Sequence, residues 1–143
     1  MGCNQALTHW VGKGVHSDWA IHYIGHELTA FLEMVHGQTL ACIQCRVFDF
    51  MFETKEELAQ IAAHVLDIKE GCVEEKAHAC IQRIDDFYLK VLGVPTHISE
   101  YPQYSQARLG LRSYMICFVK IHSSWRGWWY DADVAYDIIR NSY

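Results

Sequence analysis

The residues best suited to chemistry are His22, His26 and His36, which stand within one short stretch of the chain. A neutral imidazole nitrogen is a common ligand of divalent metal ions and also a proton donor or acceptor in catalysis. Residues four apart on a helix share a face, so spacing alone pairs His22 with His26 on one ion. Glu27 follows the second histidine, so the stretch is not an H-E-x-x-H motif. The residues by themselves leave a metal site, a reaction site and a role in a helical core open.

The composition is that of one globular domain. The chain has 143 residues, 51% of them hydrophobic, and a net charge of −5 with neutral histidines. This charge, without a cluster of Lys and Arg, argues against nucleic acid as a partner. No apolar run approaches the roughly 20 residues of a membrane span, and the first residues do not resemble a signal peptide. We expect a cytoplasmic protein that binds neither nucleic acid nor membrane.

The hydrophobic pattern is helical. Apolar residues recur at i, i+3 and i+4, whereas Gly, Pro and alternating patterns are scarce. The pattern predicts one all-α domain over residues 1–143, a helical bundle without a substantial sheet. The predicted helices cover residues 3–11, a segment capped by Ser17 or Asp18, residues 39–52, a segment opened by Thr54 and Glu57, residues 73–92 up to Gly93, and residues 131–141. The aromatic residues 119–129 fit no pattern.

The six cysteines form no regular framework. In a chain of this kind we predict reduced, buried thiols at Cys3, Cys42, Cys45, Cys72, Cys80 and Cys117. Cys42 and Cys45 form a C-x-x-C pair, which metal and redox sites also use, but no second pair accompanies it. We interpret both as core residues on a helix.

The stretch DWAIHYIGHELTAFLEMVHGQTLA, residues 18–41, resembles the metal-site stretch of the iron-containing alcohol dehydrogenases. It is most similar to the branch of NADPH-dependent butanol dehydrogenases and aldehyde reductases. The shared pattern is D-W-A-x-H-x-x-G-H-E-L-T-A, then a second metal-binding histidine and Q-T-L-A. Weaker similarity continues through KEELAQIAAHVLDI and FYLKVLGVPTHISEY, so that it covers residues 1–101.

The resemblance implies a role for each histidine. His22 and His36 correspond to metal ligands, whereas His26 corresponds to a residue beside the nicotinamide and the substrate. The implied cofactors are a divalent metal ion, either iron or zinc, and NADP(H). The implied reaction is hydride transfer between NADP(H) and a primary alcohol or aldehyde, with the ion as a Lewis acid.

The family also has parts that we do not find in this sequence. In the family, an aspartate and a histidine on an earlier helix complete the metal site, and a Gly-rich turn in an N-terminal half binds the nucleotide. We therefore expect residues 1–143 to be a C-terminal helical metal-binding domain, inactive alone. Its partners would be a small alcohol or aldehyde and either the missing half or further copies of itself. The alternatives are a stand-alone helical metal-binding module and an inactive structural remnant.

A site that contains both His22 and His36 requires the chain to fold back between them. On one unbroken helix they would lie about 21 Å apart, at about 1.5 Å per residue. A bond from a metal ion to an imidazole nitrogen is only about 2 Å long. Residues 33–35 include no Gly, Pro, Asn or Asp that would end a helix. We nevertheless predict a break between Leu32 and His36, forced by packing of the next apolar segment on the first helix.

Overall fold

The computed structural model describes residues 4, 5, 8, 10, 12–14, 19–52, 55–102, 104 and 132–143. The regular elements of these residues are helices, with no strand among them. The main helices are α1 (Ala20–Leu32), α2 (His36–Phe50), α3 (Lys55–His64), α4 (Val73–Asp86) and α5 (Ala132–Asn141). A π-helix, Phe87–Val91, continues α4, and a 3₁₀ turn, Ile98–Glu100, follows it. The predicted all-α fold is confirmed.

Helix α2 is the central element, because it has buried residues on two of its faces. One face packs with α1, α5 and the 3₁₀ turn around Ile24, Leu28, Ile43, Val47, Ile98, Ile138 and Ile139. The other face packs with α3 and α4 around Cys45, Leu58, Ala62, Ala77, Cys80 and Ile81. Full burial of one large aliphatic side chain contributes about 1.5–3 kcal/mol. The first cluster therefore fixes α1 relative to α2, and the second fixes α3 and α4 against the other face of α2.

The connection between α1 and α2 is only three residues long and confirms the predicted break. Glu33 has the left-handed backbone conformation, with φ 55°, and Val35 is extended before α2 begins. Leu32 and Met34 are both buried in the same cluster, with 6% and 2% of their surfaces exposed. Residues two apart on a helix point in nearly opposite directions, about 200° apart. Both can reach one core only because the chain leaves the helix at Glu33.

Several predicted helix ends differ from those observed. Helix α1 has Trp19 as its N-cap, not Ser17 or Asp18, and α2 begins at His36 rather than at residue 39. The helix predicted over 73–92 is α-helical only to Asp86, and its last turn is the wider π-helix, which ends before Gly93 at φ 65°. The predicted helix 3–11, Thr54 and residues 119–129 lie largely or wholly outside the described residues.

The predicted burial of the cysteines is confirmed at Cys42, Cys45 and Cys80 and is wrong at Cys72. Cys72 is exposed at the N-cap position of α4, where its backbone N–H donates to the carboxylate of Glu75. Cys3 and Cys117 lie outside the described residues. Among the described residues, no helix is long and apolar enough to cross a membrane.

Candidate metal centre

Helices α1 and α2 bring three imidazole rings together. His22 and His26 stand one turn apart on α1, and His36 is the first residue of α2. One ring nitrogen of each histidine lies within 4.8 Å of the corresponding atoms of the other two. Because the connection at residues 33–35 is short, the first turn of α2 lies against the middle of α1. Among the described residues, these three form the only group of this kind.

The nitrogens of His22 and His36 have the separation that one metal ion requires. Their Nε2 atoms lie 3.3 Å apart, and the ring planes meet at 71°. Two nitrogens bound to one zinc or iron ion at about 2.1 Å, with a tetrahedral angle, lie about 3.4 Å apart. Imidazole nitrogen is also a ligand that both metals accept. The donor atoms and their spacing therefore fit a divalent metal ion.

His26 has a different relation to His36. The two rings are stacked, with centroids 4.4 Å apart and planes only 20° from parallel. The lone pair of an imidazole nitrogen lies in the plane of its ring. The lone pairs of two stacked, nearly parallel rings therefore lie in separate planes and do not converge on one ion. In this arrangement His22 and His36 suit one ion better than His26 and His36 do. Spacing alone favoured the pair His22 and His26, whose ring centroids lie 5.4 Å apart.

The electrostatic environment favours neutral His36. Burial, and then the proximity of His26 and His22, lower its pKa below the ordinary value of 6.5. Neutral imidazole is the form that binds metal ions. On its other side, Nδ1 of His36 lies 3.4 Å from the hydroxyl of Thr29 on α1. The sequence interpretation missed Thr29, although it follows His22 and His26 at i+7 and i+3 and so lies on their face of the helix.

The other described histidines lie outside this cluster. His78 stacks on Phe52, with centroids 4.3 Å apart, and His97 lies 3.6 Å from the carboxylate of Glu100. His64 is exposed at the end of α3. His9, His16 and His122 lie outside the described residues.

The C-x-x-C pair is part of the core. Burial, the largest cause, raises the pKa of both the Cys42 and the Cys45 thiols to about 12. Each thiol faces a backbone carbonyl oxygen, of Pro95 and of Ile81 respectively. The interpretation of this pair as core residues on a helix is confirmed.

A family model described as the C-terminal part of the Fe-containing alcohol dehydrogenase family matches residues 7–104. The chain belongs to this family. Its resemblance to the NADPH-dependent aldehyde reductase branch is also confirmed, because it is 43% identical over 98 residues to the NADPH-dependent aldehyde reductase YqhD of Escherichia coli K12. That alignment covers 68% of this chain and 25% of the relative.

Two further comparisons agree. The NADH-dependent butanol dehydrogenase B of Clostridium acetobutylicum is 28% identical over 103 residues, which are 70% of this chain and 25% of that protein. A crystal structure of E. coli K-12 YqhD superposes with a TM-score of 0.84 at 32% identity, covering 97% of this chain and 35% of that one. The chain thus spans about a quarter of the length of the curated relatives that it matches.

Proposed function

We propose that residues 1–143 form the C-terminal metal-binding domain of an NADP-dependent alcohol dehydrogenase. The observation that carries the proposal is the 3.3 Å separation of the His22 and His36 Nε2 atoms, which belong to two different helices. The relatives are named as an aldehyde reductase and a butanol dehydrogenase, so the proposed substrates are small primary alcohols and aldehydes. The proposed location is the cytoplasm.

Each histidine has a proposed role. His22 and His36 would hold one divalent ion, iron or zinc, and such an ion supplies a Lewis acid that polarises a carbonyl group. His26 would lie beside the substrate and the nicotinamide. Its ring is exposed, and stacking on His36 holds it beside the ligand pair, where it can exchange a proton or a hydrogen bond with the substrate oxygen.

Hydride transfer also requires a bound nicotinamide. This chain covers about one quarter of its relatives. We propose that the nucleotide site and the remaining metal ligands lie in a part of the enzyme equivalent to the other three quarters, or come from further copies of the chain in an oligomer. The purified 143-residue chain should therefore oxidise no NADPH with butanal above the rate of a His22→Ala control.

A stand-alone metal-binding module is the second candidate function. It is favoured by the fact that α1 and α2 assemble the three imidazoles without a contribution from any other described element. With two imidazole ligands, most of the coordination shell of the ion would be water, so binding should be weak.

Metal titration of the purified chain tests the proposed ligands. Isothermal calorimetry with Zn²⁺ should show affinity falling by more than about tenfold, or about 1.4 kcal/mol, in His22→Ala and in His36→Ala. His26→Ala should have a smaller effect, and His64→Ala, an exposed histidine outside the cluster, should have none. If His26→Ala is the most damaging change, the proposed roles are wrong.

A chimaera tests the proposed reaction. The chain would replace the corresponding C-terminal region of the E. coli aldehyde reductase, and NADPH-dependent reduction of butanal would be measured. We expect activity that His22→Ala abolishes. A folded chimaera that binds NADPH and metal but reduces no aldehyde would favour the stand-alone module.

A further inference from the structure

Two threonine hydroxyls lie behind the His36 ring, on the side away from His22. The Thr29 Oγ1 atom lies 2.8 Å from the Gly25 carbonyl oxygen, 2.9 Å from the Thr39 Oγ1 atom and 3.4 Å from the His36 Nδ1 atom. Thr39, which is fully buried, also lies 2.7 Å from the His36 carbonyl oxygen. Nothing in the proposed function uses these hydroxyls.

The number of hydrogens restricts how these groups can pair. A hydroxyl has one hydrogen to donate, and a carbonyl oxygen can only accept. The short contact from Thr29 to the Gly25 carbonyl takes the Thr29 hydrogen. The Thr29 and Thr39 hydroxyls together have two hydrogens for three contacts between oxygen atoms, to the Gly25 and His36 carbonyls and to each other. Neither hydrogen is left for His36, so towards this ring the Thr29 oxygen can only accept, from an N–H at Nδ1.

Neutral His36 has two tautomers, and only one of them satisfies both of its nitrogens. With the proton on Nδ1, the ring donates to Thr29, and its Nε2 lone pair accepts from the Nε2–H of His22. With the proton on Nε2, the Nδ1 lone pair would face the lone pairs of Thr29. Relieving that repulsion would require Thr29 to give up its shorter hydrogen bond to Gly25. Unpaired polar groups in partly buried positions are destabilising, so the first tautomer is favoured.

We infer that Thr29 is a positioning residue that holds the proton of His36 on Nδ1 and so keeps its Nε2 lone pair available to a metal ion. Groups that contact the outer nitrogen of a ligating histidine typically change metal affinity by about 10–100-fold. Because the 3.4 Å contact is longer than the usual range of about 2.7–3.2 Å, we expect the lower end of that range. The inference about affinity rests on the proposed ligand role of His36, whereas the inference about the tautomer does not.

The tautomer can be measured in the metal-free chain by long-range ¹H–¹⁵N correlation NMR. The measurement is made at about pH 8, where an ordinary histidine is neutral, and the His36 signals are assigned by their loss in His36→Ala. We expect the Nδ1–H tautomer in the wild type and a shift towards Nε2–H in Thr29→Val, which keeps the shape and removes the hydroxyl. Thr29→Ser should restore the wild-type tautomer. Thr8→Val removes a comparable hydrogen bond, to the Asn4 carbonyl outside the site, and should change nothing.

Zinc affinity provides the second measurement. Thr29→Val should weaken binding about tenfold, and Thr29→Ser should remain within about threefold of the wild type. If Thr29→Val does not fold, as judged by circular dichroism, Thr29→Ala is measured in the same way. A wild-type His36 protonated on Nε2, or a tautomer unchanged in the variant, would overturn the inference. If neither the wild type nor any variant binds zinc, the proposed function fails. The positioning role of Thr29 stands in that case if the His36 tautomer still changes as expected in Thr29→Val.

Discussion

Replacing Glu33 by glycine tests the chain reversal on which the whole site depends. Glu33 is exposed, and its backbone has the left-handed conformation with φ 55°. Within the described part of the chain, its side chain makes no hydrogen bond or ion pair, and only its carbonyl oxygen accepts, from the Tyr104 hydroxyl. The substitution therefore changes backbone preference and little else.

The size of the effect follows from two opposing quantities. The left-handed conformation costs an ordinary L-residue about 1–2 kcal/mol and costs glycine almost nothing. Glycine in turn lowers the free energy of unfolding by about 0.5–1 kcal/mol, because it makes the unfolded chain more flexible. Glu33→Gly should thus raise the free energy of unfolding by about 0.5–1 kcal/mol, which corresponds to an increase of about 2–4 °C in the melting temperature.

The matched control is Ala30→Gly, three residues earlier on the exposed side of α1. In a helix interior, replacement of alanine by glycine lowers the free energy of unfolding by about 0.8–1.0 kcal/mol. Urea denaturation followed by circular dichroism should therefore give changes of opposite sign. Equal destabilisation by both substitutions would mean that the helix continues through Glu33, in which case His36 could not approach His22.

Two further predictions concern thiol reactivity and pH. Iodoacetamide at about pH 8 should alkylate Cys72 and leave Cys45 unmodified in the native chain, because Cys72 is exposed and burial raises the pKa of Cys45 to about 12. Peptide mass spectrometry would contradict this if Cys45 reacted as fast as Cys72. The hydrogen bond from Lys55, 2.6 Å away, lowers the pKa of Glu74 from its ordinary value of 4.5 to about 2. The stabilisation from a depressed carboxyl pKa is complete above the unfolded value and disappears as the pH falls towards the folded value. The stability difference between the wild type and Glu74→Gln should therefore shrink between about pH 5 and pH 2, and a difference independent of pH would refute the pairing.

The polar residues of α2 have partners that the hydrophobic pattern of the sequence does not predict. Gln44, Arg46 and Asp49 interrupt an otherwise apolar segment, C-I-Q-C-R-V-F-D-F. In the structure the Tyr88 hydroxyl donates to Gln44, and the Arg46 guanidinium lies 3.4 Å from the carboxylate of Asp85. Arg46 also lies 3.6 Å from Asp49, which spacing on one helix can predict. Asp85 and Tyr88, in contrast, come from α4 and the π-helix about 40 residues later, and nothing in the local sequence identifies them.

The sequence by itself determined the helical class and the family. Periodicity reports which residues of a local segment share a face, and this placed α2, α4 and α5 to within a few residues. The dense pattern over residues 18–41 identified the family and the three histidines, because many residue types recur at fixed spacing.

Tertiary structure alone decided the geometry of the candidate site. The helix breaks at Glu33 without a local breaker because Leu32 and Met34 must enter one core. That break sets the distance from His22 to His36 and places Thr29 behind the His36 ring. These contacts join residues that are distant in the sequence, and their energies come from packing between helices. A hydrophobic pattern within one segment carries no information about that packing.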